Sequence, residues 1–106
     1  MSLPESGQIC KPVREILPTR RDNLSLSLEC EGHSYRATAG WFADGRLAEI
    51  FLHAPGKLGT PLQANADTSA VLVSILLQYG VDPEVIRHSI TGPIAIALDK
   101  FMGETP

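Results

Sequence analysis

Pro55-Gly56-Lys57-Leu58-Gly59-Thr60-Pro61 sets a lysine and a threonine between two glycines, shortly before a long apolar run, and these are residue types that a phosphate-gripping loop uses. Their order fails that chemistry. A loop that cradles nucleotide phosphates follows G-x-x-x-x-G-K-[ST], so that the lysine is followed at once by the hydroxyl residue and the helix. Here Lys57 precedes the second glycine, Pro61 reads as an interruption, and the helix cap is expected several residues later. Simple anion binding by Lys57 near a helix N-terminus is what remains.

Other chemistry-bearing residues are sparse. Cys30 and His33 have a C-x-x-H spacing, and His53 with Cys10 would complete a tetrahedral zinc set. Cys30, however, continues the alternation of Leu24, Leu26 and Leu28, where a thiol acts as a small hydrophobe, so no metal site is expected. Leu17-Pro18-Thr19-Arg20-Arg21 is the one dense basic cluster. It is a solvated lead-in to the first strand, or an Arg fork for a carboxylate or phosphate with help from Arg14 and Arg36. Glu49 lies within reach of such arginines across a sheet. No serine, histidine and acid fall into a spacing that marks a nucleophile, and no catalytic residue is assigned.

The elements that must position these groups are legible from periodicity. Leu24 to Cys30 alternates apolar and polar residues without error, which predicts a strand with one buried face. His33 to Trp41 alternates likewise, with "EGH" as the turn between. Ala43-Asp44-Gly45-Arg46 predicts a second tight turn, and Leu47 to His53 a third strand. Asn65 or Asp67 then caps a helix running to Tyr79, with Gly80 at its left-handed end. On that helix Asp67, Ser74 and Gln78 form one narrow polar stripe, and Val71, Leu72, Val73, Ile75, Leu76 and Leu77 surround the rest. Such apolar girth predicts burial against a second helix or in a homodimer. Asp82-Pro83-Glu84 opens a second helix that stops near Ile90, and Thr91-Gly92-Pro93 breaks the chain before a short apolar tail, Ile94 to Leu98. The expected fold is α+β: a three-stranded antiparallel β-meander followed by two helices, in two layers.

Size and charge bound the function. With 106 residues, 43% hydrophobic and 20% charged, there is room for one core. The folded domain is expected over 13–99, with flexible ends at 1–12 and 100–106. A net charge of −3 argues against general nucleic-acid binding, which needs surplus cations to displace counterions. The meander-helix order also occurs in double-stranded-RNA-binding domains, but Gln63 to Thr68 lacks the lysines that would grip phosphates. No segment reads as a signal peptide or a membrane span, so a cytoplasmic protein with free thiols at Cys10 and Cys30 is expected.

Taken together, "LPTRR", "YRATAGWFADGRLAEIF", "GKLGT", "SILLQYGVD" and "GPIAIALD" resemble the TSCPD domain family, from about Leu17 to Asp99. That domain occurs at the C-terminal end of cobalamin-dependent ribonucleotide reductases and as small stand-alone bacterial proteins, and this chain looks like the latter. The matching positions are Arg20, Arg21, Tyr35, Gly45, Glu49, Phe51, Lys57, Gly59, Ser74, Gln78 and Gly80, none with a catalytic role. Ser89 to Pro93 stands where the family has its Thr-Ser-Cys-Pro-Asp stretch and lacks the cysteine.

The resemblance implies a link to deoxynucleotide synthesis. Ribonucleotide reduction needs a radical-forming cysteine, a reducing pair and a radical-generating cofactor, and two cysteines cannot supply that set. The expectation is therefore a non-catalytic accessory or regulatory module without a cofactor. Its expected ligand-binding residues are Arg20, Arg21, Glu49, Lys57, Ser74 and Gln78, and its expected partners a second copy, the reductase or a nucleotide. The alternatives are a small enzyme for an anionic substrate and a structural interaction domain.

Overall fold

The computed structural model describes residues 13–17 and 23–103. Alternation produces β1 (Asn23–Cys30), β2 (His33–Trp41) and β3 (Leu47–His53), which pair antiparallel in the order β1-β2-β3. Glu31 (φ 51°) and Gly32 (φ 81°) are both left-handed, as a two-residue hairpin turn requires if its twist is to match the flanking strands. Cys30 therefore faces His33, and Leu28 faces Tyr35. The second turn closes with the Phe42 N–H donating to the Arg46 carbonyl at 2.8 Å, after an irregularity at Gly40/Trp41.

One face of the sheet is covered by α1 (Pro61–Gln78) and α3 (Pro93–Met102), and α2 (Pro83–Ser89) packs against both of these helices. The core joins Leu28, Ala37, Trp41 and Ile50 of the sheet to Ala70, Val73 and Leu77 of α1 and Leu98 and Phe101 of α3. Ala37 and Ala39 have no exposed surface, so the small residues of β2 sit at the centre of the sheet's covered face. α1 lies along β3, and α3 touches all three strands. Among the described residues no helix is long and apolar enough to cross a membrane.

The two-layer α+β fold and its meander agree with the sequence, and three details differ. α1 begins at Pro61, capped by Thr60, whose side chain accepts from the Gln63 N–H, and not at Asn65 or Asp67. Proline has no N–H, but the first helical turn leaves its N–H groups unpaired anyway, so Pro61 starts the helix. The second difference is a third helix. Gly92-Pro93 begins α3 in the same way, where an apolar tail was expected. The third concerns the C-terminal boundary. Lys100, Phe101 and Met102 are helical, and Phe101 is fully buried with its ring edge-on to Trp41 at 6.0 Å, so the domain extends past Asp99.

The other helix ends follow the sequence. After Tyr79, the Gly80 N–H donates to the Leu77 carbonyl and the Val81 N–H to that of Leu76, with Gly80 left-handed at φ 86°. Asp82 caps α2 through the Glu84 N–H. α2 is tied to α3 by an ion pair, Arg87 Nε lying 2.6 Å from Asp99 Oδ1, and the guanidinium beside it holds the Asp99 carboxyl below its ordinary pKa.

Phe101→Ala is expected to destabilise the protein by about 3–5 kcal/mol, the cost of a large aromatic lost from a packed core. Urea denaturation measures it. A loss below about 1 kcal/mol, the scale of an exposed substitution, would mean that α3 does not complete the core.

Candidate functional site

Two of the three residues of the polar stripe of α1 face the sheet, while Asp67 is exposed and accepts from Gln63 Nε2 at 2.7 Å. Ser74 and Gln78 are buried, together with Gln63 from the turn that the sequence left outside the helix. β3 is an edge strand, and the main-chain groups of every second residue point away from β2 toward α1. Ser74 Oγ accepts from the Ile50 N–H at 2.9 Å and donates to the Ile50 carbonyl at 3.0 Å. Gln78 Nε2 donates to the Ala48 carbonyl at 3.1 Å. Gln63 accepts from the Ala54 N–H at 2.6 Å and donates to the Leu52 carbonyl at 3.3 Å. Three side chains of one helix thus stand in for a fourth strand.

Gln78 also holds the chain's N-terminal approach. Its Oε1 accepts from Arg14 Nε at 2.6 Å, and its main-chain carbonyl accepts from the Glu15 N–H at 2.7 Å. Glu15 in turn pairs with Arg46 at 2.6 Å, and Arg46 also bonds Asp44 and lies 4.7 Å over the Phe42 ring. The hydrogen bonds from Arg46 hold Asp44 below the ordinary carboxylate range, and those to Glu15 and Asp44 raise Arg46.

The residues expected to bind a ligand do not form one cluster among the described residues. Ser74 and Gln78 bond to β3 and to the N-terminal approach. Glu49 lies on the opposite face of the sheet, buried over Gly40, where an added Cβ would meet its carboxylate at 2.6 Å. Lys57 is exposed in the turn after β3, its N–H bonded to the Ala54 carbonyl. Arg20 and Arg21 lie outside the described residues. Cys10, from the zinc set, lies outside as well. Cys30 shares the covered face with Leu28, and His53 shares the other with Phe51, so a strand's alternation directs them apart. Among the described residues no three His, Cys, Asp or Glu are grouped to hold a metal ion.

A groove that the sequence did not announce lies at the open end of the sheet. β3 stops at His53, opposite Arg36, so the β1–β2 hairpin projects beyond it. Leu28, Tyr35 and Arg36 of the hairpin, Pro55, and Ile96 and Lys100 of α3 line a cavity of about 580 Å³. Its rim includes Ser27, Ser34 and Glu29, the last accepting a long bond of 3.4 Å from Ser34 Oγ. Only 4% of Tyr35 is exposed, and its hydroxyl has no hydrogen-bond partner among the described residues. Burial first, then Cys30 and Glu31, raise the phenol above its ordinary pKa, so it stays protonated at neutral pH. Lys100 falls in the expected flexible tail, and Tyr35 on one face of the expected second strand. Only the packing of α3 against the hairpin joins them.

Comparison with known proteins gives one consistent result. The chain is 36% identical over 78 residues to a vitamin B12-dependent ribonucleotide reductase of Rhodopirellula baltica, covering 74% of this chain and 7% of that protein. A reductase of the same name from Agrobacterium fabrum is 38% identical over 78 residues, covering 74% and 6%. The one from Streptantibioticus cattleyicolor is 36% identical over 81 residues, covering 76% and 13%. This chain is therefore related to a short segment of those enzymes and spans a small part of their length. No family model and no solved structure matches it.

Ser74→Ala is expected to cost about 1–3 kcal/mol, because it strips the buried Ile50 N–H and carbonyl of their partner. Hydrogen exchange checks the location of the effect: the Ile50 amide should lose protection more than those of β1. Uniform loss across the sheet would contradict the edge-pairing role.

Proposed function

We propose that this chain is a non-catalytic module of the TSCPD type, which serves deoxynucleotide synthesis as an accessory or regulatory binding protein. The observation that carries this is the relation to one short segment of the B12-dependent reductases over about three quarters of the chain. The sequence shares that segment without the set of thiols that the reaction uses, having only Cys10 and Cys30. In this reading the chain acts by binding, and its partner is the reductase of the same cell.

The test combines the purified chain with that reductase. The chain alone, with ribonucleotide, adenosylcobalamin and dithiol, is expected to form no deoxynucleotide. Added to the reductase, it is expected to co-elute and to change the rate. Turnover by the chain alone, or neither co-elution nor a rate change, would refute the proposal.

The module is also proposed to pair with a second copy through the outer face of α1. Val71, Leu72 and Leu76 are 53%, 56% and 42% exposed there, and no charged residue falls between Asp67 and Asp82. An uncharged apolar face can meet its own image about a two-fold axis without like-charge repulsion. Leu72→Glu is expected to convert a dimer to a monomer in sedimentation velocity. Its monomer stability should change by no more than about 0.5 kcal/mol, since the side chain is exposed. A wild-type monomer at all concentrations would rule out the pairing.

A further inference from the structure

The second edge of the sheet is open among the described residues. Glu31-Gly32 is a two-residue turn, so Cys30 and His33 exchange main-chain hydrogen bonds. Alternation gives the same to Leu28 with Tyr35, Leu26 with Ala37 and Leu24 with Ala39. The N–H and carbonyl groups of Asn23, Ser25, Ser27 and Glu29 therefore point away from β2, and among the described residues nothing bonds to them. At the opposite edge α1 supplies Gln63, Ser74 and Gln78 to β3. No described element does this for β1.

β1 also lacks the devices that keep an open edge from pairing. It is eight residues long, has no proline or lysine, and keeps an unbroken register with β2. On its covered face Leu24, Leu26 and Cys30 are only half-buried at the margin of the core, so an added strand would complete their burial. The edge runs into the groove, which Ser27, Leu28 and Glu29 line together with Ile96 and Lys100 of α3. A row of main-chain groups beside a partly apolar recess is what an extended peptide uses, the first for affinity and the second for choice of side chain.

The edge also specifies its occupant. The residues of an antiparallel segment would lie by turns opposite Leu28, Leu26 and Leu24 on the covered face and opposite Glu29, Ser27, Ser25 and Asn23 on the other, so apolar and polar side chains must alternate. Glu29 is the one charge in that polar row. It makes no ion pair among the described residues, although Arg36 is its diagonal neighbour on β2 and Lys100 lines the same groove, and its one bond is the long one from Ser34. A basic residue belongs opposite it. A second copy fits less well, because α3 packs more against β1 than against β2 or β3 and the copy would bring its own α3 to the same face. A lone segment brings only side chains.

We infer that the outer edge of β1 is a docking strand for an extended segment of another protein, which adds antiparallel to it as a fourth strand. The segment carries a basic residue opposite Glu29 and apolar residues at alternate positions after it, the first of them packing in the groove between Leu28 and Ile96. The inference stands apart from the reductase partnership and from pairing through α1, because it uses neither the relatives nor the outer face of that helix.

The probe is the heptapeptide KVTVTVT, blocked at both ends and titrated into the 15N-labelled chain. Saturable amide shifts are expected at Ser25, Ser27 and Glu29 with a Kd of about 1 mM or tighter, and those amides should gain protection from hydrogen exchange. N-methylation of the third and fifth peptide residues, whose N–H groups face β1, should weaken binding at least about tenfold, and N-methylation of the fourth and sixth should not. Glutamate in place of the peptide lysine should weaken it roughly fivefold. Ser27→Pro removes an outward N–H and no bond to β2, as proline on an edge strand allows, and should weaken binding at least about tenfold. Where that variant does not fold, the methylated peptides decide the matter on the wild-type chain. The inference is overturned if the peptide gives no saturable shifts, if the shifts map away from β1, or if the two methylation patterns bind alike. It is also overturned if the chain alone protects the Ser25, Ser27 and Glu29 amides increasingly with concentration, which would put a second copy on the edge.

Discussion

The structure depends on how the outer edge of β3 is satisfied. A three-stranded sheet has two edges, and an open edge costs either unpaired main-chain groups or association with another chain. Here α1 closes one of them with side chains, through Gln63, Ser74 and Gln78. The match is metrical. Four residues of helix rise about 6 Å and two residues of strand about 6.7 Å, so Ser74 and Gln78 meet Ile50 and Ala48 in step. Gln63, three turns earlier, spans the larger gap to Leu52 and Ala54 with its longer side chain.

That arrangement inverts the usual amphipathic logic. A helix on a sheet ordinarily turns its apolar stripe inward and its polar residues to water. In α1 Ala66, Ala70, Val73 and Leu77 do turn inward, but the polar stripe goes in beside them toward the strand edge. Val71, Leu72 and Leu76 are left outside, and this is why the helix carries more apolar surface than a monomer needs. Gln78 extends the same economy of groups, since one carboxamide bonds both β3 and the N-terminal approach. Through Glu15 and Arg46 that approach is joined to the β2–β3 turn, so the end of α1, the edge of the sheet and the segment before β1 are held as one unit.

The other end of the sheet is built on the opposite principle. Where β3 stops, no helix residue takes over, and the β1–β2 hairpin stands clear with α3 beside it. One end of the fold therefore spends its polar groups on itself, while the other leaves a groove between the hairpin and α3.

The sequence by itself determined the strands, because a period of two is imposed by the backbone and was unbroken in Leu24 to Cys30 and His33 to Trp41. It determined the end of α1 at Gly80 and the start of α2 at Asp82, since caps are local chemistry. It also carried the relationship to the reductases in the order of its blocks. Proline misled it, because Pro61 and Pro93 break a helix or begin one according to what the preceding turn does, and that hid the start of α1 and all of α3. Only the tertiary structure decided which way Ser74 and Gln78 face, for a polar stripe reads alike whether it meets water or a strand edge. It alone joined Tyr35 to Lys100, 65 positions apart, because a groove is made by the packing of distant elements and leaves no periodic trace in the residues that line it.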